Sequence, residues 1–476
     1  MSKLYSICRQ YYFILLIILA VFIPLYPKFP LLNVSGTYVA IRLEDFLIGV
    51  FFLLWFFLNI PRLKVLLKEN IYLAFLLFWA IGGLSLLSGF LITHSLSLHL
   101  GLLHWFRRVE YMSLFIMAAT SLSSLKQVKW FVTTSVFTAL AVVVYGFGQI
   151  WLDFPVISTT NKEFSKGLVL YLTNGARVNS TFAGHYDLAI YLSLVLALLA
   201  GMFLFYRKFI FRTLIIFFGA LNFILLGFTA SRISFVAALV GLAGVFWLSK
   251  KKLVVIGLIF SALLIVGLVP DLRHRLVATV TVNLMGGGGP KYSPPPGTVT
   301  IFTPKSSLPK ESSPVALLSA TKSGAIAVDT VPGEPINTTE LGVYRSFGIR
   351  LNVEWPRAWG AFLKNPLLGT GYSSLTIATD NDILRSLGEV GLWGTLSLGL
   401  IFFIISKKML LALKKGVKTE KTFAIVILCM IVVMFISATF IDVLEASKVG
   451  EFFWLVLGVG WAVVTNFGRR SDDETV

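Results

Sequence analysis

Charge is what this 476-residue chain has least of: Asp, Glu, Lys and Arg make up 13% of it, against 57% hydrophobic residues and a mean hydropathy of +0.84. Soluble globular domains carry about twice that share of charge, so a string of water-soluble domains is excluded. Acidic residues are scarcer than basic ones, 23 against 41, which leaves a formal charge of +18. The Lys and Arg come in short groups between apolar runs rather than along one stripe, so topology accounts for them and nucleic acid is not an expected partner. Cysteine is nearly absent. Cys8 and Cys429 fall beside or within apolar runs, so a disulfide between them would have to cross the bilayer. A nucleotide-binding phosphate loop is also missing, because "GGGGP" lacks the Lys and Ser/Thr that would follow. His94, His99 and His104 recur every five residues, which spreads them around a helix with no Cys beside them, and no metal or other cofactor is expected. No internal repeat of 20 to 50 residues is visible.

What the chain has is apolar runs. A membrane helix needs roughly 20 mostly apolar residues in sequence, and about twelve candidates run near 10–27, 43–60, 70–92, 107–124, 128–152, 181–206, 209–229, 232–249, 252–269, 384–406, 421–441 and 449–467. The fourth is weakest, because Arg107, Arg108 and Glu110 crowd its start. Lys3 and Arg9 precede the first as in a signal peptide, but no small-residue cleavage site follows it, so it reads as an uncleaved span. Alternate threading collects Lys3/Arg9, Arg62/Lys64/Lys68, Lys126/Lys129, Arg207/Lys208, Lys250 to Lys252, Lys407 to Lys421 and Arg469/Arg470 at one set of ends. By the positive-inside rule that set is cytoplasmic. Both termini are then cytoplasmic, and one large segment, 270–383, lies outside between the ninth and tenth spans. The expected organisation is nine spans in 1–269, the outer loop in 270–383, and three spans with a tail in 384–476.

The outer loop opens on "GGGGPKYSPPPG" and stays Ser-, Pro- and Thr-rich to about residue 340, a composition that buries too little apolar surface to order itself. Over 341–383 helical spacing returns, with Leu351, Trp355, Trp359 and Phe362 on one side. Arg350, Glu354 and Arg357 share another face at i, i+4, i+7. Pro356 kinks this helix or starts a second, and "NPLLGTG" reads as a helix stop and turn.

Several residues at the outer ends invite a chemical reading. "TDNDILRSLGEVGLWG", 379–394, places Asp380, Asn381 and Asp382 at the start of the tenth span. Acidic groups there complement the helix dipole, with Asn381 or Asp382 as N-cap, and a functional role stands beside that structural one. Glu389, two turns in, is costly unless it faces protein or water, and Arg385 is four residues away to pair with it. "GFTASRISFVAALVG" makes Ser231 and Arg232 a tight outer turn. A cation at a helix N-terminus opposes the dipole and calls for an anion, either a carboxylate or a phosphate. In "GARVNSTFAGHYDLAIYL", Arg177 precedes the sixth span and His185 enters it, either as an interfacial histidine bonded to a carbonyl or as a ligand-binding group. Arg177, Arg232, Arg350 and Arg357 put four guanidiniums on the face where positive charge is normally scarce. That suits a diphosphate, which Arg matches bidentately.

Three stretches taken together, "RVNSTFAGHYDLAIYL", "FTASRISFVAALVG" and "RLNVEWPRAWGAFLKNPLLGTGYSS…TDNDILRSLGEVGLWG", resemble the O-antigen ligase and O-antigen polymerase superfamily of bacterial membrane proteins. Its relatives include pilin-modifying oligosaccharyltransferases. The likeness covers residues 170 to 400 by motif, and the whole chain by span count and late outer loop. It implies an all-α, C-type (GT-C-like) glycosyltransferase in the bacterial cytoplasmic membrane. Such an enzyme takes a glycan from undecaprenyl pyrophosphate and passes it to the hydroxyl of a glycan or lipid-linked acceptor outside, without nucleotide or metal. Carried onto this chain, the family's arginines are Arg177, Arg232 and Arg350, with Arg357 an additional candidate. Ligases have a histidine followed by Asn before their last conserved glutamate. Here Asp380 and Asn381 stand at those positions and Glu389 matches the glutamate, a version closer to exopolysaccharide polymerases.

The resemblance implies that fixed arginines stabilise the departing diphosphate while a carboxylate such as Asp380 takes the acceptor's proton. The competing class is a transporter or flippase for a lipid-linked glycan. Transporters place their sites near the midplane on broken helices in repeated halves, whereas these residues gather at outer ends.

Overall fold

The computed structural model describes residues 2–27, 29–32, 34, 40–156, 171–172, 176–281, 346–375 and 379–466. The Pro/Gly/Ser-rich stretch lies outside them from 282 onward, as does the tail from 467 with Arg469 and Arg470. The helices in order are α1 (Ser2–Leu25), α2 (Leu43–Asn59), α3 (Asn70–Leu91), α4 (Leu98–Ser121), α5 (Leu125–Trp151), α6 (His185–Phe205) and α7 (Phe209–Phe228). Then come α8 (Arg232–Leu248), α9 (Lys252–Leu268), α10 (Pro270–Thr281), α11 (Trp355–Lys364), α12 (Asp382–Lys415), α13 (Lys418–Ala438) and α14 (Ser447–Asn466). A short antiparallel ribbon pairs β1 (Pro30–Leu32) with β2 (Ile41–Arg42). The chain divides into one unit of 1–276 with 349–476 and a second of 277–348, described only at its helical ends.

The protein is an all-α polytopic membrane protein. A helix coincides with each of the twelve apolar runs; among the described residues, eight are long and apolar enough to cross a bilayer, or nine if α9 and α10 form one span bent by 101°. Two of the others have a visible physical reason. In α4 the charges Arg107, Arg108 and Glu110 interrupt the apolar run. Helix α8, at 17 residues, spans about 25 Å against a hydrocarbon core of about 30 Å.

Helices α6 and α14 are buried nearly all round, as an evenly apolar helix must be to escape polar surroundings. Tight crossings come from small residues. A Cβ on Gly458 would sit 2.4 Å from the Phe115 carbonyl, so α14 and α4 approach backbone to backbone. By contrast, Phe57, Phe209 and Leu253 stand bare on α2, α7 and α9 and offer lipid an apolar flank. One end of the body gathers cations from four separate connections: Lys129 and Lys418 lie 5.8 and 5.9 Å over the Phe205 ring, and Lys251 and Arg212 lie 5.0 and 5.1 Å over Phe203.

Two features of the late segment position the site. Arg350–Glu354 forms a π-helical turn that passes directly into α11, and this wider turn stands just ahead of Pro356, which has no N–H to donate. The chain then stops at Asn365 and the "NPLLGTG" turn follows, as its sequence predicts. Helix α12 is not continuous, because Gly391 at φ 66° breaks it. The break frees carbonyls, and the turn satisfies them: Thr370 N–H donates to Gly388 O at 2.9 Å and Gly371 N–H to Glu389 O at 2.8 Å. In return Leu392 N–H donates to Pro366 O at 2.8 Å. A Cβ on Gly391 would meet backbone atoms of Leu367 and Gly369 at 2.5 Å and would hold an unfavourable φ. Gly391→Ala should therefore cost about 3 kcal/mol or more. Gly399→Ala in the same helix, with open space around it, should leave thermal unfolding in detergent unchanged or slightly higher. Equal effects of the two would refute this reading of the kink.

Candidate functional site

The start of α12 is held by side chains that end their reach on backbone. The Asn381 Oδ1 accepts from the N–H groups of Ile383 and Leu384 at 3.1 and 2.9 Å, an N-cap. Its Nδ2 donates to Thr439 O at 3.2 Å, so both ends of this side chain are engaged in structure. Asp382 accepts from Val443 and Leu444 N–H at 2.9 and 3.0 Å. Asp442 answers from the other side, accepting from Thr379 N–H at 2.9 Å and Asn381 N–H at 3.1 Å. The segment between α13 and α14 is thus stitched to the start of α12 by one carboxylate from each.

Beneath this stitching lies an ion network. Arg385 donates to Asp442 at 2.7 Å and lies 3.5 Å from both Glu389 and Glu445. The i, i+4 pair expected from sequence is therefore present, but Asp442 is the nearer partner. Arg108 pairs with Glu445 and donates to Leu444 O at 2.7 Å. A cavity opens beside these groups, lined by Arg108, Tyr372, Asp382, Arg385, Ser386 and Glu389, with Phe78, Met112 and Trp454 on its apolar side.

The arginines singled out by sequence form a second set. Arg350, buried on the π-helical turn, pairs with Asp380 at 2.7 Å. Asp380 sits at φ 49°, a left-handed conformation that turns its carboxylate toward Arg350. Glu354 is buried next to them, within the field of Asp380, Arg350 and Arg357. Its burial and the neighbouring Asp380 push its carboxyl up to about 7. Burial likewise raises Asp380 above the usual range, against the opposing pull of Arg350. Arg357 is half-buried.

Arg177 contacts the His185 ring and lies 6.0 Å over the ring of Tyr186. His185 in turn packs on Tyr186 with ring centroids 4.0 Å apart. Arg232 reaches the Arg275 carbonyl at 3.5 Å and is close enough to Arg177, Arg350 and Tyr186 for their charges to act on it. Arg275 stands in the field of Arg177, Arg232 and Tyr186. So Arg177, Arg232 and, from α10, Arg275 come together around Tyr186, and Arg232 is also within reach of the charge of Arg350. Sequence reasoning missed Arg275 because "DLRHRL" reads as the polar opening of a loop. The only available signal was its two arginines directly after an apolar run. The cavity beside Arg385 and Glu389 is lined by none of the arginines in this second set.

Set against models of known protein families and against characterised proteins, the chain matches none. Its class is therefore defined by its own architecture: an all-α multi-pass membrane protein whose buried ionisable groups are concentrated at helix ends.

Proposed function

We propose that the protein is a membrane glycosyltransferase of the O-antigen ligase and polymerase type, GT-C-like in fold. It moves a glycan from a polyprenyl (undecaprenyl) pyrophosphate to an acceptor hydroxyl during surface polysaccharide synthesis. The observation that carries this reading is the gathering of Arg177, Arg232, Arg275 and Arg350 from four separate segments. Four guanidiniums brought near one another in a partly buried place, with Asp380 on Arg350 and Asp271 beside Arg275, present many fixed N–H donors to an anion of more than one charge. A diphosphate with a lipid tail is such an anion, and guanidinium forks match its oxygens. The end bearing Lys129, Arg212, Lys251 and Lys418 is then the cytoplasmic one, and the arginine set faces outward with 270–383. Twelve spans in the cytoplasmic membrane of a bacterium and two cytoplasmic termini complete the proposal.

In the transfer step the acceptor oxygen forms a bond to the anomeric carbon as the bond from that carbon to the phosphate oxygen breaks. The electron pair leaves on the diphosphate, where the arginines stabilise it. The acceptor's proton passes to a carboxylate. Asp380 is the residue that aligns with the family's base, and its ion pair with Arg350 ties the base to the anion grip. Glu354 sits beside it with a pKa of about 7, nearer the working pH and so better matched to accept a proton. Because the base must be ionised, turnover should rise as pH increases through about 7 and level off above it. In Glu354→Gln that rise should vanish, and an unchanged pH profile in this variant would return the role to Asp380 alone.

The test is transfer by purified protein in proteoliposomes carrying a polyprenyl-pyrophosphate glycan and a soluble acceptor. Product formation supports the enzyme. Movement of the donor across the bilayer with no product would make the protein a flippase instead.

A further inference from the structure

Next to Arg108, whose side chain reaches Glu445, Arg107 turns the other way into a separate acidic set. It donates to Asp45 at 3.1 Å and to the Ala40 carbonyl at 2.9 Å. Beside Asp45 stand Glu110 of α4 and Glu451 of α14, and one carboxylate oxygen from each of the three lies within 4.8 Å of the others. The three residues come from three helices and from positions about 65 and 340 apart in the chain, so they meet only through the fold.

An acidic cluster alone is not a site, but here a second observation points into it. Tyr111 is 1% exposed, and its hydroxyl has no hydrogen-bond partner among the described residues. That hydroxyl lies in the field of Asp45, Glu110, Glu451 and Arg107. Asp45 Oδ1 and Glu110 Oε1 are likewise buried with no hydrogen-bond partner among the described residues. A buried polar atom left without a partner costs on the order of 1–3 kcal/mol, more if charged, so several orphaned oxygens facing one another mark a place built for something else.

We propose that Asp45, Glu110 and Glu451 bind a hard divalent cation of the Ca²⁺ or Mg²⁺ class, with the Tyr111 phenol at its edge. The chemistry is specific in three respects. All donors are oxygens, with no His or Cys in the group, which selects hard cations over zinc or copper. Oxygens sharing one such cation lie about 3 to 5 Å apart, the spacing found here. When ionised, the three carboxylates outnumber the single charge of Arg107 by two, with Glu44 nearby held by its own partner Arg42; a divalent cation cancels that excess, which a membrane-embedded body tolerates poorly. The bound ion ties the facing ends of α2, α4 and α14 together. It takes no part in the proposed transfer, and the site stands whether or not that reading does.

Purified protein in detergent is dialysed against EDTA and then titrated with Ca²⁺, Mg²⁺ or Mn²⁺ while thermal unfolding is followed and bound ⁴⁵Ca is counted. One cation per chain should be retained. At about a hundredfold excess over Kd, Tm should rise by about 3 °C or more. Glu110→Gln, nearly the same in shape, should lose at least about tenfold in affinity along with the Tm response. A wild-type Tm and ⁴⁵Ca count indifferent to all three cations overturns the site. So does a stability that ignores cations and falls only as pH is raised, which would mean shared protons. Full retention of the response in Glu110→Gln removes Glu110 from the site. The wild-type titration decides the matter by itself if the variant fails to fold.

Discussion

Arg232→Ala should lower glycan transfer by a factor of about 100 to 1000 while the protein still folds. A fixed donor aimed at charge that develops in the transition state is worth on that order when removed from a water-poor site. Arg232 opens α8 and is half-buried, with its guanidinium near those of Arg177, Arg275 and Arg350. Its hydrogen bond to the Arg275 carbonyl is long, at 3.5 Å, so stability should fall by no more than about 1 kcal/mol while turnover falls far more. That disproportion between the two quantities separates a binding role from a structural one. Arg350→Ala is expected to be less clean, since Asp380 at 2.7 Å would lose its partner and both folding and transfer would suffer. Asp380→Ala should abolish transfer more completely than it destabilises. Turnover preserved in all three variants would remove the assignment of these residues, whatever else the protein does.

The largest stability effect should come from a residue with no assigned chemistry. Asp442→Ala strips Arg385 of its nearest carboxylate and leaves the N–H groups of Thr379 and Asn381 without their acceptor. Arg385 is 9% exposed. Breaking a buried pair on one side costs roughly 3 to 5 kcal/mol, although Glu389 and Glu445 at 3.5 Å soften the loss here. Asp442→Asn keeps one oxygen for the two N–H groups and should cost about half as much. Unfolding in mild detergent, followed by tryptophan fluorescence, would show both. A loss below about 1 kcal/mol for Asp442→Ala would mean that the two glutamates replace it fully.

These two expectations differ in how far the sequence announced them. The spans were legible because an apolar run of about 20 residues admits few other uses, and the sites of all twelve helices follow from it. How α4 carries its charges was not, since Arg107 and Arg108 find their partners elsewhere in the fold, Asp45 and the Ala40 carbonyl for the first and Glu445 for the second. Arg177, Arg232 and Arg350 stood out because cations are scarce at the face where alternate threading of the spans would put them. Arg275 did not, lying in a polar run that looked like the start of a loop. Glu389 was legible as a partner of Arg385, because helical spacing reveals local pairs. Asp442, 57 residues later, carries no periodic signal, and neither does the meeting of Asp45, Glu110 and Glu451. Kinks were hidden for the same reason: Gly391 looks like any glycine in an apolar run until the turn at Gly369 is packed against it.

The most direct measurement is the relative affinity of the purified protein for a polyprenyl pyrophosphate and for the matching polyprenyl monophosphate in the same nanodisc. If the guanidinium set is a diphosphate grip, the pyrophosphate should bind at least about tenfold tighter, and Arg232→Ala with Arg275→Ala should erase that preference. Equal affinities for the two lipids, unchanged in the double variant, would contradict the account.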